Sequence, residues 1–306
     1  MNIELPVINK EIEKNHTEFI SRVNNDYLRR LSGIADDIAE HRNERPIILI
    51  SGPSGSGKTT TAMMIEKILD ENGAVTHTLS MDNYFCPLTE MEKRQLAEGK
   101  IDLESPARVD SEFLSSQLEA VEACEPIELP RYDFENSARV KTGRFFQRKP
   151  GELVILEGIH ALNPEVVTLP DEKTAKIYVS VRTRINDGDI TLHPSKIRLM
   201  RRLVRDRKFR RRSFEETLMM FRSVEEGENK YIMPYKRRST YDVDTFMAYE
   251  VCAYRDFLLD GLSQLTGMPE LDDTIAVLSD AVPLSTEEIT PDSLICEFIG
   301  NGQFMY

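Results

Sequence analysis

The chain has 306 residues, of which 40% carry apolar side chains, and this composition excludes both an intrinsically disordered protein and a miniprotein that depends on disulfides. Its 39 basic and 52 acidic residues give a net charge of −13, which argues against a protein that coats nucleic acid or an anionic membrane with its whole surface. The first residues lack the apolar core of a secretory signal, and no apolar run is long enough to span a bilayer, so we expect a cytoplasmic protein with no membrane partner.

The elements predicted along the chain alternate between helices and strands. Apolar residues recur at three- and four-residue steps over residues 10–43, which predicts an amphipathic helix. Short apolar runs, typical of strands buried on both faces of a parallel sheet, follow at residues 47–50, 75–79, 153–156 and 177–181, with a weaker fifth at 243–247. Helical patterns lie between them, notably at residues 59–72 and 111–123. This order predicts an α/β fold in which helices flank a mostly parallel sheet of about five strands.

Charge is distributed unevenly towards the carboxyl end of the chain. Residues 198–212 contain nine basic residues and one acidic residue, whereas the chain after Arg255 contains ten acidic residues and no basic one. A solvated helix face is the ordinary explanation of such a basic run. The segment after Gly267 contains three prolines and ends in an apolar piece at residues 294–299, so we expect an irregular appendage there.

A phosphate-binding signature follows the first predicted buried strand. Residues 52–59 read GPSGSGKT and match G-x-x-x-x-G-K-[ST], in which glycines let consecutive backbone N–H groups converge on phosphate oxygens where a helix begins. Lys58 supplies a positive charge for the β and γ phosphates, and the Thr59 hydroxyl can ligate Mg²⁺. The predicted ATP-binding residues are Gly52, Pro53, Ser54, Gly55, Ser56, Gly57, Lys58, Thr59 and Thr60. Because hydrolysis, switching and transfer all use this loop, it identifies the donor and leaves the acceptor open.

Two carboxylates follow predicted strands at the edge of the sheet where ligands bind. Asp82 lies in SMDNYF after the second buried strand, where it could accept the proton of an attacking hydroxyl; a turn or helix cap is the alternative. Glu157 ends the strand VILE and is placed as a direct or outer-sphere Mg²⁺ partner, with an ordinary strand-ending acid as the alternative.

Taken together, these segments resemble the uridine kinase and phosphoribulokinase family of P-loop kinases. The motifs occur in order: GPSGSGKTT, SMDNYF, LPRYDF followed by Arg139, VILEGIHAL and RLMRRLVRDRKFRRRS. The resemblance covers residues 46–248 approximately, and it implies a P-loop NTPase-type sheet with an arginine-rich lid helix. We predict a helical arm at residues 1–44, a P-loop kinase domain at 45–266 and an acidic extension at 267–306 that packs on it. A subgroup with similar segments is often fused behind a TGS and threonyl-tRNA-synthetase-like half, whereas here only the helical arm precedes the kinase segment.

The resemblance implies ATP-dependent phosphorylation of a sugar hydroxyl, and it assigns roles to single residues. Asp82 takes the position of the catalytic aspartate beside Lys58, and Asp82, Thr59 and Glu157 take the positions around Mg²⁺. Glu104 takes the place of the acidic residue that holds the ribose hydroxyls. Tyr132 corresponds to the tyrosine that packs on the pyrimidine.

The resemblance also gives the basic run a role as a lid that closes over the phosphates and excludes water. Arginine forks suit the charge that develops on a transferring phosphoryl group. The matching lid positions are Arg202, Arg205, Arg210 and Arg212, and the implied substrate contacts include Arg139, Arg202 and Arg212.

Two positions depart from the family pattern and leave the acceptor open. Ser137 replaces a histidine that contacts the base, and Met220 replaces a glutamine expected near the base, so two hydrogen-bonding groups are missing from the implied pyrimidine site. We expect a uridine- or cytidine-like nucleoside as the small-molecule acceptor. A sugar-phosphate or vitamin-precursor kinase of the same superfamily is the alternative, and a non-catalytic ATP- or RNA-binding protein is the rival from another class. A homo-oligomer is left open.

Overall fold

The computed structural model describes residues 1–97, 101–265 and 267–304. Its strands are β1 (Asn2–Glu4), β2 (Ile47–Ser51), β3 (Thr76–Ser80), β4 (Ile127–Asp133), β5 (Ala138–Phe146), β6 (Leu153–Glu157), β7 (Thr174–Ser180), β8 (Arg184–Asp187), β9 (Ile190–Leu192) and β10 (Tyr241–Asp244). Its helices are α1 (Leu5–Glu40), α2 (Lys58–Glu71), α3 (Glu90–Ala97), α4 (Ser111–Glu122), α5 (Pro194–Phe209), α6 (Phe214–Gly227), α7 (Glu250–Ser263), α8 (Asp272–Asp280) and α9 (Cys296–Ile299).

A five-stranded parallel sheet forms the centre of the fold, in the order β10-β7-β2-β6-β3. Every residue of the three inner strands β7, β2 and β6 is buried, which is why β2 and β6 are apolar except at their last residue, whereas β7 also buries Thr174, Lys176 and Ser180. The predicted α/β fold with five parallel strands is therefore confirmed. The fifth strand ends at Asp244 and not at Met247, because the Asp244 carboxylate accepts hydrogen bonds from the backbone N–H groups of Arg182 (3.0 Å) and Phe246 (3.1 Å) where the chain leaves the sheet.

Helices cover both faces of the sheet and create two apolar clusters. Alternate residues of β2 divide between them: Ile48 and Ile50 belong to one cluster, and Ile47 and Leu49 belong to the other. The first cluster also contains apolar residues of α1, α7, α8 and the segment around α9. Both ends of the chain thus share a core with the sheet, while the division into arm, kinase domain and extension remains a prediction.

The leading helix and the carboxyl-terminal segment differ in detail from the predicted pattern. α1 contains a residue with extended backbone, Asn15, whose Oδ1 accepts a hydrogen bond from Glu18 N at 3.1 Å and so caps the part of the helix that follows. The segment after Gly267, predicted to be irregular, contains the helix α8, which places Val277 and Leu278 in the core. No helix in the described ranges is both long and apolar enough to cross a membrane.

Two smaller sheets lie outside the central one. β4 and β5 form an antiparallel hairpin that carries the LPRYDF segment and Arg139. β1 pairs in parallel with β8, which pairs antiparallel with β9, so the amino terminus is tied to the chain that follows β7. The sequence analysis does not predict either sheet, because their strands are short or largely polar.

Candidate active site

The phosphate-binding loop connects β2 to α2 in a backbone conformation that needs glycine at two points. A Cβ atom on Gly52 would lie 1.9 Å from the carbonyl oxygen of Val179, so no side chain fits there. Gly57 has a φ of 84°, in the left-handed region, directly before α2 begins. Lys58 Nζ donates a hydrogen bond to Pro53 O at 3.2 Å, which folds the lysine over the loop. The loop therefore directs its N–H groups and one cation towards a common point, as anion binding requires.

A buried ion pair holds the outer side of this loop. Arg201 is fully buried and pairs with Glu250, with Nε to Oε2 at 2.6 Å, while its Nη1 donates to Gly55 O at 3.2 Å. The Thr245 hydroxyl donates to Ser56 O at 2.7 Å. Because the outward-facing carbonyl groups are occupied in this way, the loop is fixed before any ligand binds.

Arg201 and Glu250 are not among the site residues predicted from the sequence. A signal for the arginine exists in its spacing, since Arg201 lies four residues after Ile197 and three before Val204, on the buried face of α5. A charged residue on such a face needs a buried partner. The chain position of that partner, on a different helix, cannot be read from local spacing.

The two predicted carboxylates lie at the carboxyl ends of adjacent strands. Ser80 and Glu157 are direct neighbours in the β3–β6 pairing, and the Ser80 hydroxyl donates to Glu157 Oε1 at 2.9 Å. Burial raises the pKa of the Glu157 carboxyl, against the opposing charge of Lys58. Asp82 follows β3 in a short 3-10 turn. The Asp82 side chain reaches solvent, but the surrounding protein removes part of its hydration. This loss of hydration raises the pKa of its carboxyl, against the opposing charges of Lys58 and Arg210.

Glu104 lies on another side of the same charge cluster. Burial raises the pKa of its carboxyl, and Arg202 and Lys58 are the first charges that oppose this shift. Its Cβ and Cγ pack on Gly227, where an added Cβ atom would approach to 2.3 Å, so glycine at that position makes room for the glutamate. Among the residues that the structure describes, Glu104 Oε2 is buried and has no hydrogen-bond partner. A buried carboxylate oxygen in this state is a candidate acceptor for hydroxyl groups of a ligand.

His160 lies beside this group, buried to 1% exposure. Burial lowers the pKa of its ring to about 4, although the backbone of Glu104 partly opposes the shift, so the ring is neutral near pH 7. The edge of its ring contacts Tyr231, whose hydroxyl donates to Asp102 Oδ2 at 2.8 Å. The sequence places His160 directly after the acidic strand end but gives no sign that it is buried.

The hairpin residues that the resemblance assigns to the substrate are engaged with the protein. Tyr132 is 7% exposed, packs edge-on against Phe85 and Phe134, and donates its hydroxyl to Cys86 O at 3.3 Å. Arg139 Nη1 pairs with Asp110 at 2.9 Å, and its guanidinium lies 4.3 Å from the centre of the Phe113 ring. Phe134 is the most exposed ring of this group, at 63%.

The four predicted lid arginines lie at the end of α5 and in the turn that follows. Arg202 is 4% exposed and donates to the Ser54 hydroxyl of the phosphate-binding loop; burial and the nearby Arg205 lower its pKa to about 10. Asp206, which is fully buried, is the common partner of the other three, through contacts with Arg205 (3.5 Å), Arg210 (3.3 Å) and Arg212 (3.4 Å). Asp206, the one acidic residue of the basic run, therefore contacts three of the four predicted lid arginines.

The oxygen atoms near Lys58 have the chemistry that Mg²⁺ prefers. A hydroxyl from Thr59 and carboxylates from Asp82 and Glu157 are hard donors of the type found in magnesium sites with nucleotide phosphates. In the described ranges no three His, Cys, Asp or Glu side chains are grouped closely enough to hold a metal by themselves.

Comparisons with known proteins bear on the family of this chain. The model of the Phosphoribulokinase / Uridine kinase family matches residues 47–248. A uridine kinase from Lactobacillus helveticus is 36% identical over 199 residues, which is 63% of this chain and 84% of that protein. A uridine kinase from Staphylococcus haemolyticus is 34% identical over 192 residues, which is 62% of this chain and 83% of that protein.

Among solved structures, one from Bacillus stearothermophilus, described as a possible uridine kinase, is 20% identical and covers 71% of this chain and 98% of that chain, with a TM-score of 0.46. The family match spans the phosphate-binding loop, both strand-end carboxylates and the arginine run. The chain therefore belongs to the phosphoribulokinase and uridine kinase family, as an ATP-dependent kinase that phosphorylates a hydroxyl group.

Proposed function

We propose that this kinase transfers the γ-phosphoryl group of Mg·ATP to a hydroxyl of a nucleoside, uridine- or cytidine-like. One observation carries the proposal: the phosphate-binding loop and the two strand-end carboxylates lie at the carboxyl ends of neighbouring parallel strands, where Glu157 pairs with Ile50 before the loop and with Ser80 before Asp82. Glu104 adds a carboxylate whose buried Oε2 has no hydrogen-bond partner in the described part of the chain. These residues provide a cation for the phosphates, two carboxylates for metal and proton, and one carboxylate for acceptor hydroxyls. Such an arrangement suits the transfer of a phosphoryl group between two bound molecules.

Asp82 is the proposed general base. Its raised pKa makes the ionised carboxylate a stronger base than an ordinary aspartate, which favours removal of the acceptor hydroxyl proton as the oxygen attacks. Lys58, the loop N–H groups and the lid arginines Arg202, Arg205, Arg210 and Arg212 stabilise charge on the phosphates. Thr59, Glu157 and Asp82 would hold Mg²⁺, which supplies further positive charge to the phosphate oxygens when it is bound.

Glu104 supports a neutral polyhydroxyl acceptor over a phosphorylated one. Its carboxylate accepts hydrogen bonds, so it attracts the hydroxyl groups of a ribose and repels the negative charge of a sugar phosphate. The positions of Ser137 and Met220 still lack the family's base-contacting groups. The exposed ring of Phe134, next to Tyr132, offers a flat apolar surface for a base, which requires no such groups.

RNA binding by the arginine run is less well supported, because most of these cations have partners inside the protein. Arg201 pairs with Glu250, Arg198 pairs with Glu228, and Arg202 contacts the Ser54 hydroxyl. Asp206 forms ion pairs with Arg205, Arg210 and Arg212. Cations held in this way are fixed at one place, so they can face a small bound nucleotide but cannot follow an extended phosphate backbone.

The test is ADP release in a coupled assay with Mg·ATP and a panel of nucleosides, sugar phosphates and vitamin precursors. We expect turnover with uridine or cytidine, and loss of that turnover in Lys58→Ala. The control Lys10→Ala removes a lysine from α1, far along the chain from the loop, and should retain activity. Turnover on phosphorylated sugars alone would reject the nucleoside, and salt-sensitive RNA affinity without acceptor-stimulated ADP release would reject a kinase role in favour of the RNA-binding alternative.

A further inference from the structure

The carboxyl-terminal segment places an acidic side chain on the donor site. Glu297, on the short helix α9, accepts hydrogen bonds at Oε2 from the Thr60 hydroxyl (2.6 Å) and from Thr60 N (3.3 Å). Leu294 packs on the phosphate-binding loop, since a Cβ atom on Gly57 would lie 3.0 Å from its Cδ1. Both residues lie beyond residues 47–248, which the family model matches.

Thr60 is the third residue of α2, so its N–H group is one of those at the start of the helix. The first N–H groups of a helix have no carbonyl partner within the helix, and in a phosphate-binding loop they point at the α and β phosphates of the nucleotide. A carboxylate that accepts from the N–H and hydroxyl of Thr60 therefore uses donors that a nucleotide phosphate would use. Its negative charge also repels a phosphate that approaches the same atoms.

We propose that Glu297 is an internal competitor for the phosphates of the donor nucleotide, so that nucleotide binding requires its carboxylate to leave Thr60. This inference rests on nucleotide binding at the phosphate-binding loop and does not depend on the identity of the acceptor. It assigns a regulatory contact to a segment that lies outside the matched family region.

The side chain, and not the whole segment, is the part that moves. Leu294 is 1% exposed and Phe298 is fully buried beneath the Arg201 guanidinium, 5.2 Å from the centre of the ring. Lys208 Nζ donates to Ile299 O at 2.9 Å, which ties the end of the segment to α5. Detaching this segment would expose buried apolar surface, whereas rotating one glutamate side chain would not.

A cavity beside Glu297 offers its carboxylate an alternative position. Glu297 lines this cavity of about 470 Å³ together with Arg205 and Arg210, which also contact Asp206, and with residues 300–302. Two arginines in this cavity can receive the carboxylate when a phosphate takes its place. Glu297 therefore has two sets of partners, and the nucleotide selects between them.

The experiment measures ADP affinity by calorimetry, without Mg²⁺ and without an acceptor. We expect Glu297→Gln to bind ADP about tenfold more tightly than the original chain, because a neutral amide holds Thr60 less strongly and does not repel phosphate. Glu297→Ala removes the competing contact entirely and should bind at least as tightly. The control Glu287→Gln removes an exposed charge from the same acidic segment and should leave the affinity unchanged.

The outcomes separate this inference from the proposed function. Unchanged or weaker ADP affinity in both Glu297 variants, with thermal unfolding showing that they are folded, would overturn the competitor role and indicate a purely structural contact. Lys58→Ala should lose ADP binding, which shows that the measured site is the phosphate-binding loop. Failure of every acceptor in the kinase assay would reject the proposed acceptor and leave the Glu297 result standing.

Discussion

The donor side and the acceptor side of the cleft differ in how their buried polar groups are satisfied. On the donor side, Arg201 makes contacts with Glu250, Thr245 and Gly55, so the loop is held by short bonds on its outer face. On the acceptor side, Glu104 Oε2 is a buried oxygen without a partner in the described part of the chain. The Ser56 hydroxyl and Arg202 Nε on the donor side also lack partners in the described part of the chain, so the difference lies in the outer face of the loop. The protein holds that outer face in advance, whereas the proposed acceptor carboxylate is left for a ligand.

The same comparison explains the pKa values of the acidic groups. Loss of hydration raises the pKa of Asp82, Glu104 and Glu157, and in each case Lys58 is among the charges that oppose this shift. One cation thus stabilises three carboxylates that would otherwise bind protons readily in a poorly hydrated cleft. Bound Mg²⁺ would add to this stabilisation and would favour the ionised form that Asp82 needs as a base.

The largest expected effect concerns the group between the two sides, Asp82. Asp82→Asn removes the proposed base while keeping the shape of the side chain, so we expect kcat to fall about 10²- to 10⁴-fold with little change in ADP affinity. Asp189→Asn, in the exposed turn between β8 and β9, is the matched control and should retain full activity. A kcat within threefold of the original enzyme would remove Asp82 from the mechanism.

The raised pKa of Asp82 also predicts a pH dependence. A base must be ionised, so the acid limb of the kcat/KM profile, which reports the free enzyme, should lie at a higher pH than an ordinary aspartate would give, and activity should fall as the pH drops through the pKa of Asp82. In Asp82→Asn the residual activity should lose this limb. Retention of the same limb in the variant would assign it to another group.

The donor side can be tested through the ion pair that holds the loop. Glu250→Gln leaves the buried Arg201 without its counter-charge, and we expect the free energy of unfolding to fall by about 3–5 kcal/mol. Glu270→Gln breaks the exposed pair with Arg222 and should cost less than about 1 kcal/mol. Urea unfolding measures both values. Similar small losses in the two variants would contradict the view that the donor side is prearranged by buried contacts.

Much of the donor side could be predicted from the sequence, because its signals are local. The apolar run Ile47–Ser51 and the glycines after it indicate a buried strand and a tight loop without knowledge of any other segment. Asp82 and Glu157 could be placed at one edge of the sheet because they follow strands directly. Parallel strands end at the same edge of a sheet, which is why these two carboxylates could be predicted to be neighbours.

The remaining features depend on contacts between distant parts of the chain. Thr60 and Glu297 are 237 positions apart, and Arg201 and Glu250 are 49 apart, so no local pattern connects them. Tyr132 matches a family motif, but its burial follows from packing with Phe85, which sequence order alone does not show. The acceptor side consists largely of such contacts, which is why the sequence identifies the donor better than the acceptor.

His160 offers a test of burial on the acceptor side. Its pKa is about 4 in the folded chain and about 6.5 when unfolded, so the unfolded state gains a proton first as the pH falls. Stability from this residue is therefore complete above about pH 6.5 and is lost towards pH 4; between pH 7 and pH 5 the loss is about 2 kcal/mol. Over this interval we expect the free energy of unfolding of His160→Gln to fall by about 2 kcal/mol less than that of the original chain. Equal declines in both proteins would show that His160 is hydrated in solution.

The smallest expected effect concerns Glu104, the residue in which the acceptor side differs from the donor side. Glu104→Gln keeps the volume packed against Gly227 but removes the charge that attracts hydroxyl groups, so we expect the KM for the nucleoside to rise about 10- to 100-fold while the KM for ATP is unchanged. Glu112→Gln, exposed on α4, is the control. If the variant instead gains activity on phosphorylated sugars without losing affinity for nucleosides, Glu104 excludes negative charge and does not hold the ribose. Glu104 would then act by rejecting anionic substrates, because a carboxylate without a partner repels an anion whether or not any hydroxyl group reaches it.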